Sequence, residues 1–185
     1  LRLSSDFDLI IVDGGSTDSS LDHEVLRSLG VGSLIIKTSA GALGTQLQCA
    51  YDFVLSRNYQ GVITIDGNNK DNPEGVHLIR EALDQGIDFA QGSRFIKGGH
   101  HTNTPLSRYL AVRLIHAPLL SLSSGFNWTD TTQGFRGYSR NLLENEKLMI
   151  FRPEFFDYRL LFFISHIAPR AGLVCQEVPT ERNYP

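Results

Sequence analysis

The chain has 185 residues, 41% of them hydrophobic and 20% charged, which suits one globular domain with a real core. Its formal charge is −3, so no general basic field marks it for nucleic acid, and basic residues matter only where they converge locally. No stretch reaches the roughly 18–20 uninterrupted apolar residues that a membrane-spanning helix needs.

Asp8–Val12 is an apolar, β-rich run that stops abruptly at a polar, glycine-rich turn, Asp13–Asp18. It predicts a buried strand, a loop, and then a helix through about Leu29, with Asp18 as the helix N-cap. Leu34–Lys37 predicts a second strand; after Gly41 and Gly44 a helical pattern runs from about Thr45 to Leu55. Gly61–Ile65 predicts a third strand, and Pro73 opens a helix through about Gln85. Ile87–Gln91 predicts a fourth strand that opens into Gly92–Gly99, followed by a long helix over about Leu106–Leu122. Gly134–Tyr138 reads as a short strand, Pro153–Ile167 as a helix and Leu173–Val178 as a last strand.

Alternating strands and helices predict an α/β sandwich, a mostly parallel sheet flanked by helices. Ligands of such sheets bind beyond the carboxyl ends of the strands, and three strand ends here carry acidic, glycine-rich loops. Leu110–Phe126 is interrupted by Arg113, His116 and Pro118. It reads first as an amphipathic helix facing the core, with peripheral contact to a membrane surface as the second reading. Cys49 and Cys175 lie far apart without metal-ligand spacing and read as two reduced thiols, as in a reducing compartment.

Six segments, in order, carry a resemblance. The turn VDGGSTD at 12–18 resembles the nucleotide-binding turn of family 2 glycosyltransferases with the GT-A fold. IDGNNKDNPE at 65–74 stands where that family has its DxD strand end. GSR at 92–94 with GG at 98–99, PLSR at 105–108, DTTQGFRGY at 130–138 and EVP at 177–179 with Arg182 resemble the dolichol-phosphate mannosyltransferase branch. The family's domain opens with a further strand and helix, and Leu1–Phe7 reads as the tail of that helix. The C-terminus likewise stops soon after Arg182, so residues 1–185 are expected to be one glycosyltransferase domain truncated at both ends.

The resemblance implies a transferase that moves a sugar from a UDP- or GDP-sugar to a phosphate-bearing, lipid-linked or saccharide acceptor, with inversion. It implies a cytoplasmic site of action, at the inner membrane face for lipid-linked acceptors, in the making of cell-envelope polysaccharide or glycolipid. Two rivals are a sugar-1-phosphate nucleotidyltransferase and a catalytically silent nucleotide-sugar-binding domain.

The residue roles follow from the same segments. Asp13, with Gly14, Gly15 and Ser16, is expected to hold the nucleotide; Asp13 reads equally as an Asx-turn acceptor closing its loop. Gly14 replaces a second Asp that the family often carries. Asp66 with Gly67 and Asn68 marks the diphosphate end, on a strand expected to neighbour that of Asp13 in parallel. There Mg2+ or Mn2+ would neutralise charge developing on the leaving group. Asn68 is neutral where the family has its second carboxylate, so the metal site is expected to be weak or absent. Lys70 is expected to supply part of the missing charge, while Asp71 and Glu74 are near enough in sequence to restore a metal site or to favour the helix dipole.

Arg94, Arg108, Arg136 and Arg182 are expected around phosphates, which their planar forks suit. Asp130 is the candidate base or acceptor-orienting group, and alternatively an anchor for the loop bearing Arg136. His100 and His101 read as surface residues of a glycine-rich loop.

Overall fold

β-branched and long aliphatic residues at 9–12 make the first strand, and the same logic of short apolar runs between polar loops repeats along the chain. The computed structural model describes residues 7–18 and 20–185. Its elements are β1 (Leu9–Asp13), α1 (His23–Ser28), β2 (Val31–Ile36), α2 (Leu43–Ser56), β3 (Gly61–Thr64), α3 (Gly75–Asp84), β4 (Phe89–Ser93) and β5 (His100–Thr102). Then come α4 (Leu106–Leu110), a π-helical turn (Ala111–His116), α5 (Ala117–Ser124), β6 (Arg136–Ser139) and α6 (Arg140–Leu143). A 3-10 turn (Pro153–Phe155), α7 (Arg159–Arg170), β7 (Cys175–Pro179) and β8 (Glu181–Asn183) complete it. The expected helical tail at Leu1–Phe7 lies, for residues 1–6, outside the described residues.

The chain divides into two compact units, one made of the segment ending at Phe53 with Phe151–Leu160, the other of Val54–Ile150 with Leu161–Pro185. In the first unit β1 and β2 pair in parallel, with Ile11 opposite Leu34. α1 is capped by Asp22, whose Oδ1 accepts the backbone N–H groups of Glu24 (3.0 Å) and Val25 (2.9 Å). The expected cap, Asp18, instead accepts from the Ser20 backbone at 3.1 Å, one turn too early for the helix.

In the second unit the sheet order is β3-β6-β4-β7, and β5 pairs with β8 in a separate parallel ladder. Three of the five pairings among the described residues are parallel; β6 is antiparallel to both β3 and β4. The sequence predicts the strands of Asp13 and Asp66 as parallel neighbours. Among the described residues β1 bonds to β2, while β3 bonds to β6, whose opposite direction no strand-length pattern reveals.

One face of this sheet is closed by α3. Ile79 and Ala82 pack against Ala90, Phe135 and Val178, with Ile63, Val76 and Ile87 at the margin. Each large side chain buried there contributes about 1.5–3 kcal/mol. Phe89 stacks on Tyr138 at 5.3 Å and meets Trp128 at the same distance, anchoring the loop that follows α5. No helix among the described residues is long and apolar enough to cross a membrane.

The helical stretch 106–124 departs from the core-facing expectation. Val112 and Ala117 are buried, but Leu106, Leu110, Leu114, Ile115, Leu119 and Leu122 are exposed, Leu106 by 70% and Leu122 by 84%. A π-helical turn in its middle rotates the downstream face relative to the upstream one.

Candidate active site

The loop after β3 is tied to the chain's last strand. Asp66, at the strand end, keeps a third of its side chain exposed, and its Oδ2 lies 3.5 Å from Arg182 Nη2. Asn68 Nδ2 lies within 3.4 Å of the same oxygen, and Asn68 Oδ1 accepts the Lys70 backbone N–H at 3.1 Å. Gly134 backs this carboxylate: a Cβ there would fall 2.6 Å from Asp66 Oδ1, so only glycine leaves the Asp66 carboxylate its room.

Asp71 is buried, accepting from Arg182 Nη1 at 2.5 Å and from Gln133 Nε2 at 2.8 Å. Gln133 Oε1 in turn accepts from the Thr180 hydroxyl at 3.1 Å. Asn183 donates its backbone N–H to the Lys70 carbonyl at 2.7 Å, which pins Lys70 beside β8. Burial opposes the charge of Arg182, yet the Asp71 carboxylate outweighs it and raises the guanidinium's pKa.

Four of the basic residues singled out in the sequence meet at one residue that no motif contains, Tyr184. Lys70 Nζ lies 5.3 Å from its ring centre, Arg182 Cζ 5.6 Å and Arg108 Cζ 5.8 Å, while Arg94 Nη1 donates to its hydroxyl oxygen at 3.1 Å. Cations within about 6 Å of an aromatic face are attracted to it. Among the described residues neither Lys70 nor Arg108 has a carboxylate partner. The cluster therefore carries uncompensated positive charge, a fit for phosphate oxygens.

Arg108 also borders a groove of about 600 Å3 along α4 and the π turn, lined by Ala111, Val112, Ile115, His116 and Thr132. His116 Nδ1 shares a hydrogen bond with the Thr131 hydroxyl at 2.6 Å. Burial, and secondarily the Arg136 charge, lowers its pKa from the usual histidine range.

Three expected roles need correction. Arg94 Nε and Nη2 bind Asp130 Oδ2 and Oδ1 at 2.6 and 3.0 Å, both side chains being shut off from solvent. Burial works against the Arg94 charge, but the Asp130 contacts prevail and its pKa rises. Asp130 is thus a buried counter-ion rather than an available base, and Arg94 has only its Nη1 edge turned to the Tyr184 cluster. Glu177, whose pKa burial pushes up, holds this loop by accepting from the Thr129 and Asp130 backbone N–H groups at 2.7 and 2.9 Å.

Arg136 is fully buried. It donates to the carbonyls of Gln133 (2.9 Å), Leu161 (2.8 Å) and Thr131 (3.2 Å) and to the Ser165 hydroxyl (3.2 Å). Its fork is spent on folding the 131–133 loop instead of binding phosphate. Sequence position cannot reveal this, because the carbonyls come from distant segments.

In the first unit, both Asp13 oxygens are turned onto their own loop. Oδ2 accepts the N–H groups of Gly15 (2.5 Å) and Ser16 (2.7 Å), and Oδ1 accepts the Ser16 hydroxyl (2.5 Å). The Ser16 hydroxyl and the loop N–H groups hold the Asp13 carboxyl below its usual range. Gly15 supplies the φ of +104° that the turn requires. At Gly14 a Cβ would meet only Gln46 Oε1 at 3.6 Å, an ordinary contact. Gly67 is likewise unconstrained by its surroundings.

The donor set does not make up a metal site by itself. Asp71 is committed to Arg182 and Gln133, Glu74 is exposed at the start of α3, and Asn68 offers a neutral oxygen already accepting from Lys70. Among the described residues no group of three or more His, Cys, Asp or Glu side chains is gathered for a cation. Arg182 stands against Asp66 as an internal cation.

No family model matches the chain. It is 30% identical over 139 residues to a polyprenol monophosphomannose synthase of Mycolicibacterium smegmatis, covering 74% of this chain and 52% of that protein. It is 28% identical over 138 residues to an undecaprenyl-phosphate mannosyltransferase of Micrococcus luteus, covering 74% of this chain and 56% of that one. The chain therefore spans about half the length of the curated relatives it matches. Among solved structures it is similar to glucosyl-3-phosphoglycerate synthase of Mycobacterium tuberculosis, crystallised with Mn2+, UDP and glucosyl-3-phosphoglycerate. That match has a TM-score of 0.63 at 20% identity and covers 96% of this chain and 62% of that one. The fold is thus that of the nucleotide-diphospho-sugar transferases, and over about half of their length the chain is similar to lipid-phosphate mannosyltransferases.

Proposed function

We propose that the chain carries the catalytic site of a glycosyltransferase that moves a sugar from a nucleoside-diphosphate donor to a phosphate-bearing, lipid-linked acceptor. The observation that carries this is the convergence of Lys70, Arg108 and Arg182 beside Asp66, with Lys70 and Arg108 lacking carboxylate partners. In the reaction an acceptor oxygen attacks the anomeric carbon as the bond to the β-phosphate oxygen breaks. The electron pair leaves with the nucleoside diphosphate, and Lys70, Arg108 and Arg182 stabilise that growing charge.

The acceptor class follows from Asp130. A hydroxyl acceptor must lose a proton to a base, whereas an ionised phosphate needs none. With Asp130 closed into its ion pair with Arg94, an ionised phosphate is the acceptor this site suits. The names of the relatives, a polyprenol monophosphomannose synthase and an undecaprenyl-phosphate mannosyltransferase, support the same class. The groove beside Arg108 offers apolar lining next to a cation, as a lipid phosphate needs. The exposed aliphatic face of 106–122 supports peripheral contact with a membrane surface.

The Asp13 loop, in the first unit, is proposed as a nucleotide contact through Gly14, Gly15 and Ser16. We read metal use as weak: Asp66 supplies one carboxylate, and any Mg2+ or Mn2+ would rely on substrate phosphate oxygens for most of its ligands. Such a cation would add charge neutralisation at the diphosphate.

A transfer assay tests the reading. The chain is incubated with UDP- and GDP-sugars and either polyprenyl phosphate in detergent, 3-phosphoglycerate or water alone. The expected result is nucleoside-diphosphate release that depends on polyprenyl phosphate. Release dependent on 3-phosphoglycerate alone would overturn the lipid-linked acceptor, and no release in any arm would overturn the activity.

A further inference from the structure

Tyr184 belongs to none of the segments that carry the family resemblance, yet it is where the separated basic residues meet. Lys70 comes from the loop after β3, Arg108 from α4 and Arg182 from β8, and their charged ends lie 5.3, 5.8 and 5.6 Å from one ring centre. Arg94, held by Asp130, donates to the ring's hydroxyl at 3.1 Å and so tethers the hydroxyl end of the ring. Three cations brought this close repel one another. Arg182 is neutralised by Asp71 and Asp66, but Lys70 and Arg108 have no carboxylate partner among the described residues. What opposes their separation is the negative face of the ring, stronger here because the ring is half-buried.

We infer that Tyr184 is a positioning residue of the proposed diphosphate site: its ring gathers Lys70 and Arg108 into one anion-binding pair, and its hydroxyl locks the ring to Arg94. The inference rests on the proposed reading that this cluster receives phosphate, and it adds the residue that assembles the cluster. Removing the ring leaves the charges present but lets their long side chains drift apart, so phosphate affinity falls without a change in net charge.

The test is calorimetric titration of inorganic pyrophosphate into the 185-residue chain and its variants, with folding followed by circular dichroism and thermal melting. Tyr184→Leu is expected to weaken pyrophosphate binding about tenfold, in line with a desolvated cation–ring contact, while Tyr184→Phe stays within about threefold of wild type because the ring remains. Positioning is separated from mere structural support by a double-variant cycle. With Arg108 already changed to Ala, Tyr184→Leu is expected to cost less than half of its effect in the wild-type background.

Equal pyrophosphate affinity in wild type and Tyr184→Leu would overturn the inference and leave the transferase reading standing. So would full additivity of the two changes, or a Phe variant as weak as the Leu variant. Absence of pyrophosphate and nucleoside-diphosphate binding by the wild-type chain would overturn the reading of the cluster and the inference together. If Tyr184→Leu melts before binding can be measured, Tyr184→Trp decides: retained affinity supports the ring's role, and loss of affinity in a folded Trp variant contradicts it.

Discussion

Arg94 and Asp130 form a closed, two-pronged ion pair, Nε to Oδ2 at 2.6 Å and Nη2 to Oδ1 at 3.0 Å, with both side chains out of reach of solvent. Such a pair is far harder to break than to replace, because either partner alone is an uncompensated buried charge. Asp130→Asn is expected to cost about 3–5 kcal/mol of stability, read by chemical denaturation. A variant with wild-type stability and abolished transfer would return Asp130 to the role of base.

Arg136→Lys keeps the charge but cannot reach the carbonyls of Gln133, Leu161 and Thr131 together. Each acceptor left unsatisfied in the interior costs about 1–3 kcal/mol, so the midpoint of thermal unfolding should fall. Nucleoside-diphosphate affinity of the folded fraction should stay near wild type, since no donor of Arg136 is turned toward the cluster at Tyr184.

His116 gives the chain a pH-dependent stability. Its folded pKa lies below the ordinary value of 6.5, chiefly through burial. As pH falls below that value, the unfolded chain takes up a proton that the folded chain resists. Stability is therefore complete above pH 6.5 and declines as pH drops toward the folded pKa. Melting temperatures recorded from pH 7.5 down to pH 5 should fall more for wild type than for His116→Asn. Parallel curves would show that His116 does not contribute.

The loop of Asp66 supplies a fourth expectation. Asn68→Asp adds a second carboxylate beside the first and should tighten Mn2+ binding. Lys70→Ala removes a cation held near Tyr184 and should lower turnover more than donor affinity. Transfer rates across a Mn2+ titration with a chelator control check both. A silent Lys70→Ala with complete loss of activity in chelator would assign the charge neutralisation to the metal.

The sequence pattern makes β1, α2, β3 and α3 legible to within two residues of their expected bounds. The helix expected from Pro153 instead opens as a 3-10 turn at Pro153–Phe155, and α7 begins only at Arg159. β5 and β8 are not legible, since His100–Thr102 and Glu181–Asn183 are polar strands held by pairing to each other. The direction of β6 and the antiparallel bridge joining Asp71 to Arg182 depend on contacts 45 or more residues apart in sequence. The candidate site was legible as residue types and not as partnerships. Lys70, Arg108 and Arg182 do gather, but Arg94 and Arg136 are drawn into the interior by Asp130 and by backbone carbonyls. Tyr184 carried no signal, because a tyrosine near a run of polar residues has no distinguishing pattern.

The Lys70, Arg108 and Arg182 cluster is proposed to hold the diphosphate of the donor. Calorimetric titration of UDP and of GDP into the wild-type chain, and into Arg108→Ala, measures this. The predicted result is binding of at least one nucleotide, weakened about tenfold or more in Arg108→Ala, as loss of a charge-assisted phosphate contact of about 1.5–3 kcal/mol requires. Absence of binding of either nucleotide at millimolar concentration, or equal affinity in the variant, would contradict it.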